Sequence, residues 1–163
     1  MIELYTADYE SPVGVIEIKG TEEGVFSILF TDKKAAEEML STRAPGPVKE
    51  CYVQLHEYFT GDRMDFTFPY LLNGTPFQQN VWKALTAIPY AKTGTYKNIA
   101  AAIGNEKAIR AVGTANGRNR LSIVIPCHRI IGTNGTLTGY AGGLWRKEWL
   151  LRHEEAVLSK QNH

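Results

Sequence analysis

The sequence predicts an α/β chain of the α+β kind in two parts. A small N-terminal sheet-and-helix domain is expected over about residues 1–72, and a mostly helical C-terminal domain over about 73–163. Three observations predict it. The first 30 residues carry the two-residue alternation of strands; the chain turns to helical spacing after Asn73; and two short apolar-striped segments there are separated by a glycine turn. At 163 residues, 44% hydrophobic and 21% charged, the chain suits one globular unit or a large domain with a small one appended.

Taken in order, IELYTADY roughly alternates, VGVIEIKG follows the turn SPVG, and GVFSILF follows TEEG, so three strands are expected. A short helix is expected over Asp32–Leu40. A second begins near Pro47, places Val48, Tyr52, Leu55 and Phe59 on one face, and stops at Thr60-Gly61. Cys51 lies on that face and reads as core, because free cysteine is among the most buried residue types. FTFPYLLNG adds one more extended segment. Nothing in this half forms a catalytic pattern.

TPFQQNVWKALTAIP opens the second half with Thr75 as N-cap, Pro76 at the first helical position and Gln78 completing a capping box. Phe77, Val81, Leu85 and Ile88 make its apolar stripe. Ile99, Ala102 and Ile103 indicate a short helix ending at Gly104, and a second runs from about Glu106 to Ala115. Together they form a helix-turn-helix signature. The outer side of the second helix carries Arg110 beside Ala111, Gly113 and Ala115, small enough for close approach of a DNA groove or of a neighbouring helix. GGLWRKEWLLRHEEAVL is the last helix, and the polar tail AVLSKQNH is expected to fray.

Charge alone leaves both readings of that surface open. The net charge is +1, yet residues 92–129 hold Lys92, Lys97, Lys107, Arg110, Arg118, Arg120 and Arg129 against Glu106 alone, a local +6 beside −5 for the remainder. A solvated basic face is the plain reading; a phosphate-binding footprint is the sharper one, and the helix-turn-helix favours it. Two cysteines and four scattered histidines give neither a disulfide framework nor a zinc spacing, so no metal and no cofactor are expected. No apolar run reaches membrane length, and MIELYTADYE lacks the blocks of a signal peptide, so a soluble cytoplasmic protein without a membrane partner is expected.

The stretch IVIPCHRII, residues 123–131, interrupts a buried strand-like run with a thiol, an imidazole and a guanidinium. Polar groups in such a place destabilise unless partnered. Read as a strand ending at Pro126, the segment sends neighbouring side chains to opposite faces, so coupling between Cys127 and His128 requires a bridging water or a turn. Glu154, on an apolar face of the last helix, is the candidate carboxylate to orient the histidine, and its burial predicts a partner. From these residues alone, an active centre and a buried thiol beside an incidental imidazole both stand.

TPFQQNVWKAL, TYKNIAAAIG, AIRAVGTANGRN, IPCHRII and GYAGGLWRKEWLLRHE resemble the O6-alkylguanine-DNA alkyltransferases, the methylated-DNA–protein-cysteine methyltransferase family, in order across residues 75–154. The resemblance implies a winged-helix-like helix-turn-helix bound to double-stranded DNA in the minor groove. It makes Cys127 the alkyl acceptor, His128 the proton acceptor through a water, Glu154 its orienting carboxylate and Asn119 the link between the second helix and the active-site segment. Tyr96 would help to turn the nucleotide out and donate to the departing guanine, and Arg110 would fill the vacated stack. Ala111, Gly113, Arg118, Arg129 and Ile130 join the DNA- and substrate-contacting set, and Tyr140 with Ala141 belongs to the loop that closes on the base. A monomer acting on O6-alkylguanine in duplex DNA is expected, with O4-alkylthymine left open.

The chemistry agrees with those roles. A buried thiol reaches an O6 substituent only if the base leaves the stack, at a cost of a few kcal/mol that an intercalated arginine offsets in part. Guanine leaves poorly as an anion, so a donor such as Tyr96 has a purpose. The thioether product has no easy return to thiolate, so each molecule is expected to react once. Ala141 stands where some relatives carry serine, and Cys51 alone cannot build the zinc site that some carry in the N-terminal domain. The competing readings are a damage sensor, which in this family has tryptophan at the acceptor position, a helix-turn-helix regulator and a cysteine hydrolase. Neither of the last two accounts for Tyr96, Arg110, Asn119, Cys127 and Glu154 together.

Overall fold

A computed structural model describes residues 2–161, and the chain divides into two compact units, Met1–Leu72 and Asn73–His163. In the first, β1 (Tyr5–Ser11), β2 (Gly14–Thr21) and β3 (Gly24–Phe30) form an antiparallel sheet in sequential order, with Ala7 opposite Ile18 and Ile18 opposite Ile28. The first hairpin closes through Ser11, whose Oγ donates to the Gly14 carbonyl at 2.6 Å and accepts the Val13 N–H at 3.1 Å. Helix α1 (Gly46–Thr60) packs on the sheet, burying Val48, Cys51, Leu55 and Tyr58 over Ile16, Ile18 and Ile28. Gly20 permits the approach: a Cβ there would lie 2.8 Å from Val48 Cγ2. The helix stops at Gly61, whose φ of 84° few other residues adopt without strain.

After a bend at Phe68, a single parallel bridge at Tyr70 adds to the edge of β3, with Val25 N–H donating to Pro69 O at 3.0 Å and Leu71 N–H to Val25 O at 2.8 Å. The helix expected over Asp32–Leu40 is absent, and β1 supplies the reason. Buried Asp8 accepts the N–H groups of Glu37 (2.9 Å) and Glu38 (3.0 Å), Glu10 accepts that of Ala36 (2.8 Å), and Asp8 N–H donates to Glu38 O (2.8 Å). Backbone groups satisfied across to the sheet have no need of helical partners.

The second unit contains α2 (Pro76–Leu85), α3 (Tyr96–Ala102), α4 (Ile109–Gly117), a single 3₁₀ turn at Cys127–Arg129 and α5 (Leu144–Gln161). Thr75 with Gln78 and Thr95 with Asn98 form reciprocal capping boxes on α2 and α3. Trp82 Nε1 donates to Ala115 O at 2.9 Å, fixing α2 to α4. Gly104, at φ 74°, ends α3 and turns the chain into α4. That helix starts at Ile109 rather than Glu106, because residues 105–108 form a turn closed by Ala108 N–H on Asn105 O at 3.0 Å.

The run before Cys127 is not a strand. Residues 121–126 turn back on themselves, with Ile125 N–H on Leu121 O at 2.9 Å and Ile123 at φ 72°. The expected frayed tail is likewise helical through Gln161; Asn162 and His163 lie outside the described residues. Among the described residues no helix is long and apolar enough to cross a membrane, and no cluster of His, Cys, Asp or Glu is arranged to hold a metal ion.

Candidate active site

Asn119 builds the turn that carries the thiol. Its Oδ1 accepts the Leu121 N–H at 2.9 Å, while Nδ2 faces the carbonyls of Leu121 (3.4 Å) and Ile125 (3.0 Å) and Cys127 Sγ at 3.2 Å. One buried amide thus bends an apolar run that would otherwise read as extended, and ends the bend against sulfur. Tyr140 also acts on this sulfur, favouring its anion. Burial pushes the Cys127 thiol up from its ordinary value; the Asn119 amide donor, the charge of Lys147 and Tyr140 oppose that only in part. The resting thiol is therefore protonated at neutral pH.

The 3₁₀ turn supplies the turn that coupling between Cys127 and His128 requires, and it points His128 inward. The ring is fully buried, and Nε2 lies 2.6 Å from Glu154 Oε2. Glu154, also fully buried, takes further bonds from Arg129 Nε (2.9 Å), Arg129 Nη2 (3.2 Å) and the Ala91 N–H (3.0 Å). Burial alone would raise its carboxyl; the donors and charge of His128 and Arg129 more than reverse this and hold it well below the usual carboxylate range. Burial is also the main reason that His128 titrates below its ordinary value, with Glu154 opposing and Arg129 and Lys147 reinforcing. The pair is a neutral imidazole beside a carboxylate, so Nε2 carries the proton. Nδ1 is buried and has no protein partner among the described residues.

The predicted site residues fall into three groups. Asn119, Cys127, His128, Tyr140 and Glu154 meet around the sulfur and the ring. Arg110, Ala111, Arg118 and Ala141 are exposed, with Gly113 half-buried on α4 and the Tyr96 ring lying across it, so that a Cβ on Gly113 would sit 3.5 Å from Tyr96 Cε2. Arg129 and Ile130, from the expected DNA- and substrate-contacting set, are buried as Cys127 is; Arg129 is engaged with Glu154 and, through Nη1, with Ile88 O at 2.8 Å. Its charge is neutralised internally, so six exposed cations remain between residues 92 and 120.

Sequence reasoning missed Lys147, Ala91 and Gly94. Lys147 is fully buried, with Nζ 3.2 Å from Thr138 O, and its charge acts on Cys127. Its place seven residues before Glu154, two turns back on one helical face, was the available signal. Ala91 offers its N–H to Glu154 from a left-handed conformation, φ 62°, which no local pattern announces. Gly94 pairs with the backbone after the cysteine, donating to Arg129 O and accepting from Ile131 N–H, both at 2.9 Å.

Comparison with known proteins follows the same division of the chain. Residues 4–72 match the ribonuclease-like domain of 6-O-methylguanine DNA methyltransferase, and residues 76–156 match its DNA-binding domain. The methylated-DNA–protein-cysteine methyltransferase of Methanosarcina acetivorans is 46% identical over 153 residues, covering 93% of this chain and 98% of the relative. The constitutive Bacillus subtilis protein of that name is 40% identical over 162 residues, covering 96% and 98%. The crystal structure of Mycobacterium tuberculosis O6-methylguanine methyltransferase superposes with a TM-score of 0.82 at 38% identity, over 94% of each chain. The Mycobacterium tuberculosis OGT solved in complex with DNA gives 0.82 at 39% identity, over 94% of this chain and 93% of the other. This chain belongs to the 6-O-methylguanine DNA methyltransferase family, the methylated-DNA–protein-cysteine methyltransferases.

Proposed function

We propose that this chain repairs DNA by taking the alkyl group from O6 of an alkylated guanine onto its own Cys127, once per molecule. One observation carries the reading: a buried thiol, aimed by Asn119, adjoins an imidazole whose Nε2 is locked to Glu154 while Nδ1 stays unprotonated. A bridging water passes the thiol proton to Nδ1, and Sγ attacks the carbon on O6. The S–C bond forms and the C–O6 bond breaks. The electron pair leaves with guanine, whose developing negative charge the Tyr96 hydroxyl stabilises by donating a hydrogen bond, and a proton from solvent then restores the neutral base. Lys147 supports the anionic sulfur in its otherwise apolar surroundings.

The exposed cations and the small residues Ala111 and Gly113 of α4 (Ala115, expected on that outer side, is buried against α2) support a minor-groove docking with the target nucleotide turned out, Arg110 filling the stack. Tyr140 and Ala141 belong to the base-binding loop. Arg129, engaged with Glu154 and Ile88, acts from behind the site, while Ile130, buried as Cys127 is, keeps its place in the substrate-contacting set. The chain acts as a monomer, the C-terminal unit binding DNA and carrying the chemistry while the N-terminal unit supports it. A reactive free thiol suits the reducing cytoplasm.

The test is incubation with a duplex containing one O6-methylguanine, followed by intact-protein mass and peptide mapping. One added methyl on Cys127, with transfer ending at one equivalent and absent in Cys127→Ser, is the expected result. Duplex bound without a mass change would leave a damage sensor, and repeated turnover with an unmodified cysteine would overturn the suicide mechanism.

A further inference from the structure

We infer that Arg129 is a positioning residue for this transfer: it shares Glu154 with His128 and so sets how strongly the imidazole holds a proton. The inference rests on the alkyl-transfer reading and adds to it a group that touches neither thiol nor DNA. Glu154 has four acceptor directions, and all four are filled. Oε1 takes Arg129 Nε and the Ala91 N–H; Oε2 takes His128 Nε2 and Arg129 Nη2. The third guanidinium nitrogen is tied to Ile88 O, and the planar group lies 5.6 Å from the centroid of the Tyr90 ring. The carboxylate therefore has no freedom to turn toward the imidazole, and half of its hydrogen bonds go to a permanent cation.

The charge consequence follows from the groups around His128. Its own turn supplies Cys127 and Arg129; α5 supplies Glu154 and Lys147; the segment after α2 supplies Tyr90, and the loop before α5 supplies Tyr140. Glu154 is the one anion at neutral pH, and at 2.6 Å it would by itself favour imidazolium. Arg129 counters it from the other side of the carboxylate. Lys147 acts in the same sense, but its ammonium bonds Thr138, not Glu154. Without the guanidinium charge, the whole field of Glu154 falls on His128, which then retains its proton to higher pH, so that below the raised midpoint fewer molecules hold the free base that accepts the thiol proton.

The experiment compares the unaltered protein with Arg129→Gln, which removes the charge, and Arg129→Lys, which keeps it without the two-pronged contact. The His128 imidazole is titrated by NMR in the full chain without DNA. The single-turnover methyl-transfer rate is measured against pH on the O6-methylguanine duplex. In Arg129→Gln the His128 midpoint should rise by about one unit, a tenfold gain in proton affinity, and the acid limb of the rate should move up with it. Arg129→Lys should restore the position of the limb while the rate stays below that of the unaltered protein. If Arg129→Gln does not fold, Glu154→Gln is compared with the Arg129→Gln/Glu154→Gln pair, in which no carboxylate is left uncompensated; the midpoint should be higher in the pair. An unmoved His128 midpoint, with a rate lowered by the same factor at every pH, would reduce Arg129 to a packing role and overturn the inference. Absence of methyl on Cys127 in the unaltered protein would instead remove the alkyl-transfer reading, and the titration would still report on Arg129.

Discussion

At the scale of single residues, Asn119 joins fold to chemistry. Replacing it by alanine leaves the buried Leu121 N–H without its acceptor and Sγ without its amide donor. An unsatisfied buried donor costs about 1–3 kcal/mol, so Asn119→Ala should lower stability by that order and slow the transfer as well. All three tryptophans, Trp82, Trp145 and Trp149, lie in the C-terminal unit, so urea denaturation followed by tryptophan fluorescence reads the loss where it occurs. An unchanged midpoint would show that the turn holds without its amide. Sequence patterns singled out Cys127, His128 and Glu154, because a polar residue in an apolar run is conspicuous, while Asn119, in the polar stretch ANGRNR, was brought in by the family resemblance alone. They did not place Arg129: a guanidinium beside a basic segment reads as a DNA contact until the carboxylate 25 residues later is seen to face it.

At the scale of elements, the helices with local signals were legible. Thr75-Pro76 and Gln78 announce α2, and the stripe of α1 lies within its own residues. Elements whose backbone is satisfied from afar were not. The segment after β3 is held by Asp8 and Glu10, and the β-branched run before Cys127 is bent by a side chain, so propensity misleads in both places. The connection between α2 and α3 belongs to this second kind, and Ala91 tests it. A left-handed alanine is strained by about 1 kcal/mol. Ala91→Gly should relieve that strain and, after the greater freedom of the unfolded chain is counted, leave stability within about 1 kcal/mol of the original. Ala91→Pro removes the N–H that Glu154 accepts and should destabilise clearly more. Thermal melts of the two variants compare them directly; equal melts would detach this segment from the Glu154 network.

At the scale of the molecule, the buried site predicts a stability profile with two arms. His128 titrates below its ordinary 6.5 in the folded protein, so the unfolded chain binds the proton first and stability falls as pH drops through that value. Glu154, held below its ordinary 4.5, extends the loss in the same direction at lower pH. Cys127 is raised above 9.0, so the unfolded chain releases its proton first and stability falls again as pH rises beyond it. Chemical denaturation from pH 4 to 10, read by the same tryptophans, should give a maximum between about 7 and 9. A flat profile from 5 to 7 would mean that His128 is not buried as a neutral ring.

The pairing of Gly94 with the backbone on either side of Ile130 has a consequence for selectivity. Gly94 stands two residues before Tyr96, at the start of α3, and its bridge closes on the residues that follow Cys127. Helix α3 and the turn that carries the sulfur are thereby mounted on one rigid gauge. Under the alkyl-transfer reading, the reach from groove to thiol is a built-in length: an adduct carbon presented short of it escapes transfer, however tightly its duplex is held.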